Sequence, residues 1–441
     1  MDAVMTNADI AVQEHGDWRV SWRRPSHRIG VLFSTLLCVG LVMVGSASGG
    51  TGEFASALTR RLVWMALGTA AFAVGCTVNY QRWRRHHMAL AALAFILLAL
   101  VLVPGIGARI NGARRWMRFG PIGIQPSEFA KVAILIWLAA YCERNMPAGG
   151  RGAGVGRIRT FKWGFLVPLT VAGLASFLVL CEPDFGTAVL IGTVCVGTLL
   201  VCGMRPAYVL LACAVAVPLL QNLILSSPYR LERITTFLDP WRDARGAGYQ
   251  LVQSIIAIGS GGISGKGLGL GVQKMGFLPA ANNDFIFSIV AEELGFMGAA
   301  ALIGLYLWFL WEGLKVALGA RDAFAFALAF GISVLIGLQA AVNIAVVTGS
   351  LPTKGLSLPF VSAGGSSLFF SMWAVGILVN IARSQETPGR FSLVPWYLDI
   401  PDYEHTLAKH TRNVLDACQI ASLRARARRR ARDSSNSEKT T

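Results

Sequence analysis

Residues 248–296 read GYQLVQSIIAIGSGGISGKGLGLGVQKMGFLPAANNDFIFSIVAEELGF, a glycine-dense stretch carrying Lys266, Lys274 and Asp284. The chain on either side is apolar in runs of helix length. Irregular backbone near a bilayer must be satisfied by protein or water, so it usually lines a cavity. A protein that only had to span would not need a basic, glycine-rich loop ending in a carboxylate. The stretch is therefore expected to roof a functional site.

Composition agrees. Of 441 residues, 54% are hydrophobic and 15% charged, which points to a polytopic membrane protein rather than a soluble enzyme. A spanning helix needs about 20 apolar residues. Ten runs qualify, near 29–48, 62–80, 88–104, 126–142, 164–181, 187–203, 207–225, 285–311, 323–347 and 367–382. The fifth and sixth are separated only by Glu182-Pro183-Asp184-Phe185-Gly186. The expected fold is an all-α integral membrane protein with about ten transmembrane helices and a large outward loop between spans seven and eight. Residues 1–28 form a polar N-terminal tail, 29–383 the membrane domain and 384–441 a basic C-terminal tail. The first apolar run is a full-length span, so no cleavable signal is expected.

Lys and Arg gather in QRWRRHH at 81–87, in the 143–163 loop and after Ile381. Positive-inside bias therefore predicts that both termini are cytoplasmic, with 105–124, 226–284 and 348–366 facing outward. The cluster Arg424, Arg426, Arg428, Arg429, Arg430 and Arg432 suits anionic inner-leaflet lipid or a cytoplasmic partner, not nucleic acid. Eight cysteines lie in apolar runs or in the tail without CxxC spacing. They read as small apolar filler, and neither a disulfide nor a metal site is expected.

The outward segments hold more basic charge than topology requires. Arg109, Arg114, Arg115 and Arg118 surround Trp116; Arg230, Arg233, Arg242, Arg245, Lys266 and Lys274 follow, and then Lys354. Arginine forks and glycine-rich backbone suit an anionic, phosphate-bearing substrate. Trp116 and Trp241 could stack on a sugar or anchor the membrane interface. The runs GSGG at 259–262 and GKGLG at 265–269 lack the order of a nucleotide-binding P-loop.

Asp284 has two readings, as a helix N-cap or as a general base at the membrane boundary. A helix N-terminus lowers carboxylate basicity, so a base here needs burial or a second carboxylate to raise its pKa. Glu292 and Glu293 lie about 12–14 Å further along the same helix. They are turned about 80° and about 180° from Asp284, which suits hydrogen bonds that clamp the helix better than a shared site. Glu128 and Lys131, three apart, could pair with each other or with Glu292.

These blocks resemble the SEDS family (shape, elongation, division and sporulation) over about residues 29–383. The matching segments are NGARRW at 111–116, QPSEFAK at 125–131, EPDFGTA at 182–188, FLDPW at 237–241, GYQLVQS at 248–254, GSGGISGKGLG at 259–269, DFIFSIVAEELGF at 284–296 and LPTKGLSLPFVSAGGSS at 351–367. Lys354 makes the last block more similar to the division branch than to the elongation branch. The resemblance implies a glycosyltransferase that polymerises lipid II into peptidoglycan on the outer face of the inner membrane. It also implies a class B penicillin-binding protein as partner, together with other divisome proteins. Asp284 matches the family's catalytic aspartate. Arg114, Arg115, Trp116, Lys266, Lys274 and Lys354 would bind substrate, with Glu128, Lys131, Gln250, Glu292 and Glu293 as support. A divalent cation could help carry pyrophosphate charge, though no ligand cluster demands one. Two departures stand out: Ala280 and Asn282 replace a glutamate and a histidine common in the family, and Ala363 replaces a tyrosine. A lipid II flippase and a non-catalytic division scaffold are the alternatives. The first should carry polarity throughout the bilayer, and the second should tolerate loss of Asp284.

Overall fold

The computed structural model describes residues 24–49, 54–110, 113–120, 122–146, 156–226 and 228–386. Asn111, Gly112, the Arg230 side chain, the first 23 residues and the basic tail lie outside this set, as does a second unit made of 147–155 and 390–441.

Every expected run is helical. The helices are α1 (Pro25–Ser48), α2 (Phe54–Thr77), α3 (Tyr80–Arg85), α4 (His87–Leu102), α5 (Pro126–Asn145), α6 (Val167–Cys181, entered through a π-helical turn at Phe161–Leu166), α7 (Phe185–Val201), α8 (Pro206–Leu225), α9 (Pro228–Leu238), α10 (Tyr249–Gly261), α11 (Ile286–Leu318), α12 (Ala323–Val347) and α13 (Gly365–Glu386). Six are long and apolar enough to cross a membrane: α1, α2, the continuous Phe161–Cys181 segment, α11, α12 and α13. Three more, at His87–Leu102, Phe185–Val201 and Pro206–Asn222, are apolar but shorter. The tenth, α5, carries Glu128 and Lys131 and is buried along nearly all its length. It packs with α12 at the centre, where charge is tolerable because protein rather than lipid surrounds it.

Small residues let α2 and α13 pack closely. Gly75 of α2 lies on the Trp373 carbonyl of α13, and Gly376 on the Phe72 carbonyl of α2. A methyl at either would come within 2.7 or 2.4 Å of those oxygens. Glycine faces of this kind let membrane helices approach backbone to backbone.

Two segments expected to face outward depart from the sequence expectation. Residues 105–124, expected as loop, contain a three-stranded antiparallel sheet of β1 (Gly107–Ile110), β2 (Ala113–Phe119) and β3 (Ile122–Ile124), so the chain is not all-α. Short strands carrying arginine hide the alternation that would have marked them. The 226–284 segment is part helical, through α9 and the apolar α10 that packs on α11.

The long helix α11 is broken at Gly295, whose φ of 68° lies in the left-handed region that glycine tolerates. The glycine loop is spliced into the break. Lys266 and Gly267 donate backbone N–H to the carbonyls of Glu292 and Glu293, while Phe296 and Met297 donate to Gly262 and Ile263. Four helix groups freed by the kink thus find partners in the loop. Gly265 fits there because a Cβ would fall 2.2 Å from the Glu293 carbonyl.

Candidate functional site

Asp284 lies two residues before α11. Phe285 occupies the N-cap position, without a side-chain cap bond, so Asp284 is not the cap that its position suggested. Its half-buried carboxylate makes no hydrogen bond among the described residues, and only its backbone carbonyl is held, by Asn343 Nδ2 at 2.8 Å. Gly355 abuts the carboxylate, since a Cβ there would stand 3.1 Å from Oδ2. Burial, with Asp184 second, raises the Asp284 pKa to about 6 against the opposing pull of Arg233 and Arg115. The second carboxylate that an effective base requires is therefore Asp184.

Asp184 caps α7. Its Oδ1 accepts from Thr187 N at 3.1 Å, and its Oδ2 accepts from Thr187 Oγ1 at 2.9 Å and Gln125 Nε2 at 3.2 Å. These donors fix its orientation. Glu182, fully buried, has two carboxyl oxygens without a hydrogen-bond partner among the described residues. Burial and then Asp184 push its pKa up to about 9 despite Arg115, which leaves it uncharged at neutral pH. The short hairpin between α6 and α7 thus supplies two acids, of which Glu182 is neutral.

Three cations share the electrostatics of these acids. Arg115 on β2 donates from Nε to the Glu182 carbonyl at 2.8 Å and from Nη2 to that of Pro183 at 2.5 Å, bracing the sheet against the hairpin. Arg233 on α9 donates to the Thr353 carbonyl at 3.0 Å. Lys354 Nζ stands 4.3 Å from the Phe185 ring centroid. Its pKa is lowered, chiefly by burial, while Asp184 works against that shift. A carboxylate free to accept a proton therefore lies among cations able to hold a phosphate-bearing group, and the chemistry open to it is base-assisted transfer with an anionic leaving group.

The other expected site residues lie elsewhere. Lys266 pairs with Glu292 at 2.8 Å and the buried Lys274 with Glu293 at 2.7 Å. Both lysines, expected to bind substrate, are engaged by these glutamates, whose burial demands such partners. Glu292 also accepts from Val272 N and Gln273 N, and Glu293 from Ser46 Oγ and Gly269 N. The pair clamps the loop, as the helix geometry suggested. An open cleft of about 380 Å³ on that side is lined by Ser46, Phe54, Leu268 and Lys274, away from Asp284. Glu128 and Lys131 pair with each other at 2.8 Å, not with Glu292. Arg114 turns towards the Leu102 carbonyl at 3.5 Å, and Trp116 covers Gly123 within the sheet. Arg109, Arg118, Arg242, Arg245, Trp241 and Gln250 are exposed, and no hydrogen bond ties Gln250 to the site it was expected to support. Among the described residues no three His, Cys, Asp or Glu side chains are placed to hold a metal.

Sequence reasoning missed Asp184, Glu182 and Asn343 as site residues. The signal for the first two was the acidic five-residue break between two spans; for Asn343 it was an amide within an apolar helix.

With this geometry in place, known proteins can be compared. The FtsW/RodA/SpoVE cell cycle protein family model matches residues 27–387. A probable peptidoglycan glycosyltransferase FtsW from Geobacter metallireducens is 41% identical over 359 residues, covering 80% of this chain and 93% of that one. Stage V sporulation protein E of Bacillus subtilis is 38% identical over 365 residues, or 81% and 97% of the two chains. Among solved structures, a chain of a peptidoglycan synthase complex that coordinates polymerization and crosslinking superposes with a TM-score of 0.68 at 29% identity, covering 82% of this chain and 98% of that one. The rod shape determining protein RodA of Thermus thermophilus gives 0.60 at 26% identity, covering 82% and 97%.

Proposed function

The chain belongs to the FtsW/RodA/SpoVE family, and on that premise we propose that it polymerises lipid II into glycan strands with Asp284 as general base. It is a multi-pass peptidoglycan glycosyltransferase. The acceptor's GlcNAc 4-hydroxyl attacks the anomeric carbon of the donor's MurNAc and gives its proton to Asp284. The bond to undecaprenyl pyrophosphate breaks, and the electron pair leaves with the pyrophosphate. That leaving group needs no acid, only positive charge, which Lys354 and Arg233 are placed to supply with Arg115 behind them.

One observation carries this reading. Among the described residues the Asp284 carboxylate accepts no hydrogen bond, and its pKa is raised to about 6 with Arg233 and Arg115 nearby. Such a group is ionised near pH 7 yet basic enough to take a proton, the balance that general-base catalysis favours. The enzyme would act on the outer face of the inner membrane at the division septum, with both termini cytoplasmic and ten spans. A class B transpeptidase would be its partner and cross-link the product.

The test is polymerisation of purified lipid II by wild type and Asp284→Asn, each reconstituted with the transpeptidase and matched for folding. Polymer from wild type alone supports the base. Normal polymer from the variant removes it, and the catalytic site must then be sought elsewhere in the chain.

A further inference from the structure

Asn343 lies near the C-terminal end of apolar α12 and is 1% exposed. Its single Nδ2 donates two hydrogen bonds, at 2.8 Å to the carbonyl of Asp284 and at 2.6 Å to that of Leu356. Both neighbours are carbonyls, so the amide must present its NH2 group to them. Its buried Oδ1 has no partner. A leucine would fill the space but strand the carbonyls of Asp284 and Leu356, so the amide is explained by the bonds it makes rather than by packing.

What the amide joins is more telling. Asp284 and Leu356 are remote in sequence, and Leu356 follows Lys354, which stands over Phe185, and Gly355, which abuts the Asp284 carboxylate. One turn away on the same face, Gln339 donates to the Ser357 carbonyl at 2.9 Å, and its own Oε1 accepts from Lys131 at 2.8 Å. Gln339 therefore grips the loop alone. Asn343 grips the loop and the aspartate together.

We propose that Asn343 is a positioning residue for glycosyl transfer, holding the Asp284 backbone and the Lys354-bearing loop in one frame so that base and cation keep their separation. This rests on Asp284 being the base. A base displaced by about 1 Å can lose about a hundredfold in rate, whereas ground-state binding of a long lipid substrate depends on many other contacts.

The experiment compares Asn343→Leu, Gln339→Leu and Asp284→Asn in full-length chain reconstituted with the transpeptidase, measuring kcat and KM for lipid II and the thermal transition of each. Asn343→Leu is expected to lower kcat by about 10- to 100-fold with KM changed less than about twofold, and Gln339→Leu to cost much less. Equal losses in the two leucine variants would overturn the proposal, because general loosening of the loop would explain both. So would an Asn343→Leu enzyme with wild-type kcat beside an inactive Asp284→Asn, and that result would leave the base itself standing. An active Asp284→Asn removes the base and the positioning role together. Should Asn343→Leu fail to fold, Asn343→Ser, which keeps one donor, is expected to give an intermediate kcat at unchanged KM. A wild-type kcat in that variant overturns the proposal.

Discussion

Replacing Asp284 by asparagine should stop synthesis and stabilise the protein. The folded pKa of this carboxyl is raised from 3.8 to about 6, first by burial and then by Asp184. The folded chain therefore holds the proton more tightly than the unfolded chain. Its stability is greatest below the unfolded pKa and falls as pH rises through the folded one. At about 1.36 kcal/mol per pH unit, keeping Asp284 ionised costs about 3 kcal/mol at pH 7.5 and about 1 kcal/mol at pH 4.5. The figure at pH 7.5 is an upper bound, since solvent at the exposed edge screens part of it. Asparagine is isosteric and uncharged and escapes the cost at both pH values. Fluorescence-monitored unfolding of the detergent-solubilised chain, at one scan rate and at pH 7.5 and 4.5, checks this. The variant should outlast wild type clearly at the higher pH and by a much smaller margin at the lower. A variant no more stable at pH 7.5, or a gain of equal size at both, would refute the argument that burial and a neighbouring anion make this carboxylate a base.

Three other outcomes follow from the same geometry. Wild-type polymerisation should fall through an acid limb near pH 6; Asp184→Asn removes a negative neighbour, lowers the Asp284 pKa and should carry that limb to lower pH, as rate profiles over pH 4.5–8 would reveal. Glu182→Gln should polymerise at pH 7 within about twofold of wild type, because a carboxyl titrating near 9 is already neutral there, and a dead but folded variant would contradict that state. Lys274→Met should cost about 3–5 kcal/mol by leaving Glu293 buried and unpaired, with Glu293→Gln restoring yield in the double variant, whereas Lys354→Met should express normally and lose turnover.

The scaffold was legible in the sequence and the site only in part. Apolar length alone located the helices, because a bilayer-sized run of Leu, Val and Ala has few other structures open to it. The β1–β3 sheet escaped notice since its short strands are broken up by arginine and glycine. Asp284 stood out as a lone carboxylate at a helix start, but its state depends on Asp184, exactly one hundred residues earlier, and no local pattern links the two. The partners of Lys266 and Lys274 were hidden for a related reason. A lysine in a glycine loop reads as solvent-facing charge until a kinked helix turns two glutamates towards it.

The splice at Gly295 has a consequence for length. A straight rod of 33 residues would extend about 50 Å, well beyond the roughly 30 Å of hydrocarbon in a bilayer. Divided at residue 295, the portion from 296 to 318 measures about 35 Å, the length of an ordinary tilted span. The portion from 286 to 294 becomes a short post, fastened sideways to the glycine loop instead of upward from the lipid. Asp284 thus stands on a pedestal whose footing is protein, so a change in bilayer thickness that tilts the span need not carry its carboxylate along.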